Sequence, residues 1–555
     1  MFGWQGWLGG ISVGAIMSLT GISKLNRKLK PIRDLNGFEF AEASLRQLGV
    51  VSIVGDDDLA KIPDTGPFIV CSNHPYGGID GMFLFAAIGK KRPDVRSLST
   101  YLVTLIPNMR DLFIPVDPFS KGTSMSISGL KKAITHVKNG GGLIIFPAGE
   151  VSSNRNPEHI VKDIEWEASI MKLIKKLSVP VIPAYFSGEN SNFFHFLGTI
   201  HPSLRTIRIP AEMLNKKKKE VYLKFGTPVK PAELPSYDTP EELASYLKNR
   251  TYAMEGILYG SQNPVPAIEL SGIDAHLDPQ LLKNERKSIS SSILFSEGGY
   301  TCYVNCYDDI PLIIKEIGIC REETFRKNGE GTGKSIDLDE YDKYYLHMHI
   351  WKDDTDELVG AYRLGLGNEI MRDKGIHGFY SDLFFHFKDS FAPYLEKSIE
   401  LGRSFVVEKY QTVPNALKML LTHGIGRLSK RFPEMKYFIG PASISSNIPP
   451  LFGSLIVEYL KRTRFDSTLC HEVQSDIPFT PTFHNVDIES MKLESLSIDQ
   501  FDKALSRMSN GLCRVPPLIR AYYKQHGRFL GFNVDPDFNY CIDAFVLVEI
   551  ADIDA

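Results

Sequence analysis

The run Cys71-Ser-Asn73-His74-Pro-Tyr-Gly77-Gly78-Ile-Asp80-Gly81 places a histidine and an aspartate on either side of a glycine pair. A histidine titrates near neutrality, so it suits the removal of a hydroxyl proton during attack on an activated carbonyl. A nearby carboxylate fixes the ring tautomer and stabilises the imidazolium that forms. Gly77 and Gly78 let the chain fold back so that the two side chains meet. Hydroxyl acylation is one chemistry that needs such a base, and His74 with Asp80 is a candidate pair for it. Taken alone, a His and an Asp in a tight turn would carry no such meaning.

A second set of charged residues occupies the other half of the chain. It comprises Arg321-Glu-Glu-Thr-Phe325, Asp337-Leu-Asp339-Glu-Tyr-Asp342, Val359-Gly-Ala-Tyr-Arg363, Glu400-Leu-Gly-Arg403 and Phe438-Ile-Gly-Pro441. Asp535-Pro-Asp-Phe-Asn539 and Asp543 follow late in the chain. These charges sit beside strand-like apolar runs instead of forming an exposed stripe. Acylation of an amine needs carboxylates to orient the ammonium and take its proton, and arginines to hold a substrate carboxylate or fix those acids. Each residue by itself reads as a surface salt bridge.

The elements that must position these residues alternate between strand and helix. From about residue 45 to 230, apolar runs at Pro67–Ser72, Gly142–Pro147, Val179–Tyr185 and Val221–Phe225 are separated by helical patterns at Gly81–Lys90, Ser126–Lys138 and Ile164–Leu177. This predicts an α/β domain. Residues 261–299 are rich in Ser, Pro, Asp, Lys and Gly, which predicts a linker. Beyond it, helices are expected at Asp308–Phe325, Tyr394–Leu401 and Val413–Ser429. Strands are expected at Tyr344–Trp351, Val359–Leu364 and Tyr437–Ile444. The expected organisation is therefore an interface segment (1–35), a first α/β domain (36–260), a linker (261–299) and a second α/β domain (300–555).

The chain has 555 residues, too many for one ordinary core. A hydrophobic share of 43% and a charged share of 23% describe folded globular domains, and a net charge of -3 lacks the basic signature of nucleic-acid binding. The seven cysteines show no paired metal-ligand spacing, so Cys302 and Cys306 read as reduced thiols and no metal is expected. Phe2 to Ile22 carries no charge and includes Trp4 and Trp7; Lys24, Arg27, Lys28, Lys30 and Arg33 follow. The basic cluster comes after the apolar run, unlike a secretory signal, and predicts a retained shallow anchor facing anionic lipid. The Lys216–Lys219 run is expected to be a solvated turn.

Three further segments accompany the His74 run: Ile106-Pro-Asn-Met-Arg110, Phe146-Pro147-Ala-Gly149-Glu150-Val-Ser152 and Val179-Pro-Val-Ile-Pro-Ala-Tyr185. In this order they resemble the four blocks of the lysophospholipid (glycerolipid) acyltransferase family over residues 40 to 230. The resemblance implies His74 as general base and Asp80 as its partner. It implies Asn73, Arg110, Phe146, Pro147, Gly149 and Glu150 at the acceptor site. The family usually has four residues between His and Asp; here there are five. Its third block usually reads Phe-Pro-Glu-Gly-Thr-Arg. Here Ala148, Glu150 and Val151 replace the Glu, Thr and Arg, so a glycerol-phosphate acceptor is disfavoured. Both departures resemble the haemolysin-like subgroup, whose members acylate amino-acid lipids, with Arg110 or Arg155 left to meet an anionic acceptor.

Residues 300 to 545 resemble the GNAT-like ornithine N-acyltransferases and, more distantly, the acyl-homoserine-lactone synthases. This implies that Arg321, Phe325, Asp339, Asp342, Arg363, Glu400 and Arg403 line an acyl-transfer cleft, with Glu400 as base, directly or through water. The glycine-rich loop that cradles coenzyme A pyrophosphate in ordinary GNAT enzymes is not found, which favours acyl carrier protein as donor and no further cofactor. Together the halves resemble a bifunctional ornithine-lipid synthase. The C-terminal half would N-acylate an amino acid with a 3-hydroxyacyl chain, and the N-terminal half would esterify the 3-hydroxyl. Ornithine is the expected amino acid, with glycine or serine open. The expected place is the cytoplasmic face of the bacterial inner membrane. The alternatives are a lysophospholipid acyltransferase with a non-catalytic acyl-binding C-terminal domain, and a membrane-active scaffold.

Overall fold

The computed structural model describes residues 20–100, 103–104, 106–116, 124–156, 159–260, 270–411, 420 and 424–553. Most of the expected membrane-interface segment, including Trp4 and Trp7, lies outside them. Among the described residues, no helix is long and apolar enough to cross a membrane. The chain divides into two compact units. The first holds residues up to Leu258 together with His484–Lys492 and Arg507–Gly511; the second holds the remainder.

The first unit is built on a seven-stranded sheet. Its strands are β1 (Val51–Val54), β2 (Phe68–Ser72), β3 (Arg96–Thr100), β4 (Phe113–Val116), β5 (Gly142–Ile145), β6 (Val181–Phe186) and β7 (Glu220–Phe225). Their order is β1-β7-β6-β2-β5-β3-β4, parallel throughout except between β6 and β7. Every residue of β2, β5 and β6 is buried. Alternation along β2 sends Phe68 and Val70 into one core and Ile69 and Cys71 into the other, so helices must cover both faces. The helices used below are α1 (Ile22–Leu29), α2 (Gly37–Leu48), α3 (Gly78–Ile88), α4 (Ser124–Lys138), α5 (Ala168–Leu177), α6 (Asn192–Ile200), α7 (Pro202–Leu214) and α8 (Pro240–Gly260). Lys216, read as part of a solvated turn, is buried beside Glu212, with 3.3 Å between charged atoms. Glu212, four residues earlier in the last turn of α7, offsets the cost of removing that ammonium from water.

The second unit contains an eight-stranded sheet of order β16-β17-β14-β13-β11-β10-β9-β8. The strands are β8 (Ile293–Glu297), β9 (Tyr300–Asn305), β10 (Leu346–Lys352), β11 (Glu357–Leu366), β13 (Ser398–Val406), β14 (Tyr437–Ile444), β16 (Arg528–Asp535) and β17 (Cys541–Glu549). β12 (Phe385–Phe387) and β15 (Val473–Ser475) form a separate pair. Residues 270–299 depart from the expected linker: α9 (Pro279–Ser288) and the edge strand β8 lie there. Their polar residues make caps. Asp278 caps α9, and Glu285 accepts hydrogen bonds from the Leu312 and Ile313 amides at the start of α10 (Pro311–Lys327). The helix expected at 394–401 is also corrected, because Ala392–Glu396 is one short turn and β13 begins at Ser398. Tyr394, Ser398 and Leu401 imitate a helical spacing, but β13 is covered on both faces and shows no simple alternation. Of the helix expected at 413–429, Ile425–Arg431 is helical, and residues 412–419 and 421–423 lie outside the described set.

Only β13 and β14 are parallel neighbours in this sheet. Their pairing covers Ser398↔Tyr437 to Glu400↔Ile439 and stops there, although both strands continue. At Gly440, φ is 150°, and a Cβ there would stand 2.2 Å from the Leu401 carbonyl oxygen. Across the other edge of β13, pairing with β11 shifts between Ala361↔Phe405 and Arg363↔Gly402. Arg403 occupies that bulge at φ 51°, a conformation that costs a side-chain-bearing residue roughly 1–3 kcal/mol.

Candidate active sites

In the first unit the C-terminal ends of the adjacent parallel strands β6, β2 and β5 deliver three loops to one edge of the sheet, where open α/β sheets place their ligands. The β2 loop carries the expected pair. His74 Nδ1 lies 2.9 Å from Asp80 Oδ2. The contact falls outside good hydrogen-bond angles, as is common before substrate draws a base into line. Asp80 is buried in the first turn of α3, and its Oδ2 also accepts from the Tyr76 and Gly77 amides, both at 2.9 Å. The aspartate thus caps its own helix while facing the imidazole. Gly77 has φ 88°, and a Cβ there would press on Val151 and Ile209 at 3.3 Å. The glycine therefore meets both a conformational and a space requirement.

The histidine is clamped from behind. Its amide donates to Asp163 Oδ1 at 3.2 Å, its carbonyl accepts from the Ser152 amide at 2.9 Å, and its ring lies 4.0 Å from that of Phe146. Asp163 is buried and also accepts from Ser152 Oγ (2.6 Å) and Trp166 Nε1 (3.0 Å). Burial pushes its carboxyl above the usual range despite these donors. Nothing in the local sequence marks Asp163, and it was not anticipated.

The remaining expected residues divide. Asn73 ties β2 to β6, donating to the Phe186 carbonyl (2.9 Å) and accepting from the Phe186 amide (2.7 Å), so its amide serves the scaffold. Gly149 turns the β5 loop at φ 70°, and the Pro147 carbonyl accepts from the Glu167 amide. Glu150 pairs with Arg155 at 2.5 Å and with Arg205 at 3.1 Å. Arg205, from α7, was not anticipated. It is buried, donates to the Val151 carbonyl, and keeps Nε without a partner. A guanidinium thus stands beside Val151, the position where the family resemblance had implied a missing arginine. Arg110 is exposed on the 3-10 turn Pro107–Leu112 and donates to the Thr104 carbonyl. None of the hydrogen bonds or ion pairs described here joins it to the histidine–aspartate pair.

In the second unit Arg321 is buried on α10 between Asp337 (3.0 Å) and Asp342 (3.0 Å). Arg363 reaches Asp339 at 2.6 Å and Asp342 at 3.5 Å, and lies 4.5 Å from the centre of the Tyr380 ring. Arg403 stands 3.8 Å from Asp337 and 3.9 Å from Asp339. Three arginines and three aspartates therefore neutralise one another. Burial opposes ionisation of Asp342, but Arg321 and Arg363 hold its carboxyl well below the usual carboxylate range. The structure brings together all of the expected residues Arg321, Asp339, Asp342, Arg363 and Arg403, and adds Asp337.

Glu400 is placed differently from the expected base. It is fully buried and accepts from the Tyr380 amide (3.0 Å), the Ser381 amide (2.7 Å), the Ser381 hydroxyl and the Tyr345 hydroxyl. Its lone pairs are committed to holding the 380–381 turn, and it is not among the residues lining the cavity.

That cavity, of about 780 Å³, opens where β13 and β14 diverge. Gly402–Val406 form one wall and Pro441 and Ser443 the other, with Phe325 and Tyr380 also lining it. Past Glu400 and Ile439 the facing strand edges lack ladder partners, so an extended acyl thioester can take their place. Glu330, Asp535 and Asp543 line the same cavity. Burial, with Asp543 adding to it, pushes Glu330 up to about 8; burial, with Asp535 adding to it, pushes Asp543 up to about 7. A carboxyl that binds its proton more tightly when folded stabilises the fold at low pH and loses that contribution as pH rises through its folded pKa. The melting temperature of the second unit is therefore expected to fall between about pH 5 and 8, and to fall less in Glu330→Gln, which differential scanning of both proteins across that range would read.

Comparison with known proteins finds relatives of both halves of the chain. Residues 8–260 match an acyltransferase family model, and residues 320–421 match an acetyltransferase (GNAT) domain model. A glycine N(alpha)-acyltransferase of Phocaeicola vulgatus is 30% identical over 302 residues, 51% of this chain and 89% of that protein. A lyso-glycine lipid O-acyltransferase of the same organism is 30% identical over 239 residues, 42% of this chain and 83% of that protein. The chain belongs to these N- and O-acyltransferases. A glycine N(alpha)-acyltransferase of Bacteroides thetaiotaomicron is 28% identical over 49% of this chain and 84% of its own length. A crystal structure of a 1-acyl-sn-glycerophosphate acyltransferase from Thermotoga maritima covers 45% of this acyltransferase and 89% of itself, at 19% identity and a TM-score of 0.27.

Proposed function

We propose that this acyltransferase makes a two-chain glycine lipid in two steps. The second unit transfers a 3-hydroxyacyl group from acyl carrier protein to the amine of glycine. The first unit then esterifies the 3-hydroxyl with a second acyl group. The observation that carries this reading is the presence, in one chain, of both the His74–Asp80 site and the cavity between β13 and β14, with separate N- and O-acylating relatives matched by the same sequence. The single-chain N-acylglycine is the natural acceptor for the second step. One relative is named for the N-acylation of glycine and the other for the O-acylation of a lyso-glycine lipid, which favours glycine as the amino acid.

In the O-acylation step His74 takes the hydroxyl proton, the alkoxide attacks the thioester carbonyl, and the tetrahedral intermediate expels the thiolate, which recovers the proton. Asp80 holds the ring and stabilises its cationic form. Because the donor is already activated, positioning and oxyanion stabilisation suffice and no metal or redox cofactor is called for. The single-chain intermediate is an amphiphile, so the work belongs at a membrane surface. The uncharged N-terminal run followed by basic residues supports placement at the cytoplasmic face of a bacterial inner membrane.

The test supplies the full-length protein with glycine, ornithine or serine and 3-hydroxyacyl carrier protein, then a second acyl carrier protein, with products read by mass spectrometry. N-acylglycine followed by its O-acyl ester is the expected result. Acylation of lysophosphatidic acid with no amino-acid product would overturn it in favour of a single-activity enzyme.

A further inference from the structure

We infer that the wall formed by Glu330, Asp535, Asp543 and Arg403 is the amino-acid subsite of the N-acylating unit. In this subsite Asp543 accepts the ammonium proton and Arg403 holds the substrate carboxylate. The inference rests on the proposed N-acylation and assigns to it residues other than Glu400.

Charge balance is the first support. Arg321, Arg363, Asp337, Asp339 and Asp342 compensate one another, and Arg403 shares in that cluster. Glu330, Asp535 and Asp543 bring three further carboxyls to the cavity, where Arg403 acts on all three and Lys327, also in the lining, is paired with Glu408. The cavity therefore has more acid than base, and a cation entering it relieves the excess.

The second support is incomplete satisfaction. Asp543 Oδ1 accepts from Ser443 Oγ at 2.7 Å and from Cys541 Sγ at 3.6 Å, and Asp535 Oδ1 accepts from the Asp537 and Phe538 amides. Glu330, by contrast, has its amide bonded to the Phe325 carbonyl, while no hydrogen bond of its carboxyl occurs among the described residues. Arg403 Nε is buried without a hydrogen-bond partner, and its guanidinium is held 4.9 Å from the Phe538 ring centre by the bulge in β13. A zwitterion fits this arrangement: carboxylate toward Arg403, ammonium toward Asp543 and Glu330.

The place in the fold is the third support. Asp543 on β17 bonds to Ser443 on β14, on one wall of the opening, and Gly402–Val406 form the facing wall. An amine held by Asp543 would thus stand at the mouth through which an extended thioester lies. Asp543 removes one proton from the ammonium, and the freed lone pair attacks the thioester carbon. The C–N bond forms, the C–S bond breaks, and the thiolate leaves. A second proton passes from nitrogen to the thiolate, giving amide and thiol. The groups facing Asp543 are Glu330, Asp535, Cys541, Tyr380 and Arg403. With Asp543 at about 7, the base is present in quantity at neutral pH.

The experiment measures N-acylation by the full-length protein with glycine and 3-hydroxyacyl carrier protein across pH 5.5 to 9, for wild type, Asp543→Asn and Glu330→Gln. Both are near-isosteric amides. Asp543→Asn is expected to lower kcat about 100-fold or more and to abolish the rise of kcat/KM through about pH 7. Glu330→Gln is expected to raise the glycine KM about tenfold with kcat little changed. Wild-type kcat and pH profile in Asp543→Asn, or an unchanged glycine KM in Glu330→Gln, would overturn the subsite. So would activity lost to a chelator and restored by a divalent metal, because Asp535, Cys541 and Asp543 place one ligand atom each within 4.8 Å of one another. A wild type that acylates no free amino acid refutes instead the function on which the subsite rests.

Discussion

Replacing His74 with alanine is expected to lower O-acylation by about 10³-fold, within the roughly 10²–10⁴ range of general-base catalysis, and to leave N-acylation unchanged. The base has no evident substitute. Asp80 is buried, with Oδ2 committed to the Tyr76 and Gly77 amides, and Asp163 meets the histidine through its backbone amide. In cells making the lipid, the single-chain N-acyl species should accumulate while the two-chain species disappears. Asp80→Asn should also slow the reaction, because an amide can still accept the two backbone hydrogen bonds but no longer stabilises a cationic ring. Two-chain lipid at wild-type levels from His74→Ala would remove the histidine from the mechanism.

Arg321→Ala is expected to cost the second unit about 3–5 kcal/mol, the usual result of removing one partner from a buried ion pair. Its guanidinium bridges Asp337 and Asp342, and the side chain is 2% exposed. Losing it leaves two carboxylates facing Arg363 and Arg403 at longer range and without the forked hydrogen bonds. Lysine offers a point charge and would restore only part of the loss. Urea inactivation of N-acylation should move to lower concentration, while O-acylation in the same sample serves as reference. Coincident inactivation curves for wild type and variant would show that the cluster contributes little to stability.

The sequence made the scaffolds legible where burial is uniform. β2, β5 and β6 appear as unbroken apolar runs because both faces are covered, and the turn after β2 is marked by its glycine pair. Residues whose burial is decided by distant partners were not legible. Asp163 meets His74 across 89 positions, and Arg205 meets Glu150 across 55. A local window shows only a charge, for which exposure is the ordinary outcome; the same reasoning misplaced Lys216 on the surface. Glu400 was visible as a carboxylate near the chemistry, but whether its lone pairs were free depended on the 380–381 turn. Glu330 sits in a glycine-rich stretch, Gly329-Glu-Gly331, that gave no sign of a cavity. The capping residues Asp278 and Glu285 made residues 261–299 read as linker, because a cap and a solvated loop draw on the same side chains.

The first unit is completed by residues His484–Lys492 and Arg507–Gly511. Asn249 exchanges hydrogen bonds with Asp487, Asn510 accepts from the Thr227 amide, and Arg507 reaches Glu233 at 2.8 Å. During synthesis, a ribosome that has released residue 258 must add some 250 more before these partners emerge, about 13–50 s at roughly 5–20 residues per second. Throughout that interval Asn249 in the middle of α8 and Thr227 just past β7 wait without these partners. Cutting the gene near codon 260 would make that wait permanent, so a split pair of enzymes would need its own replacement for these late segments.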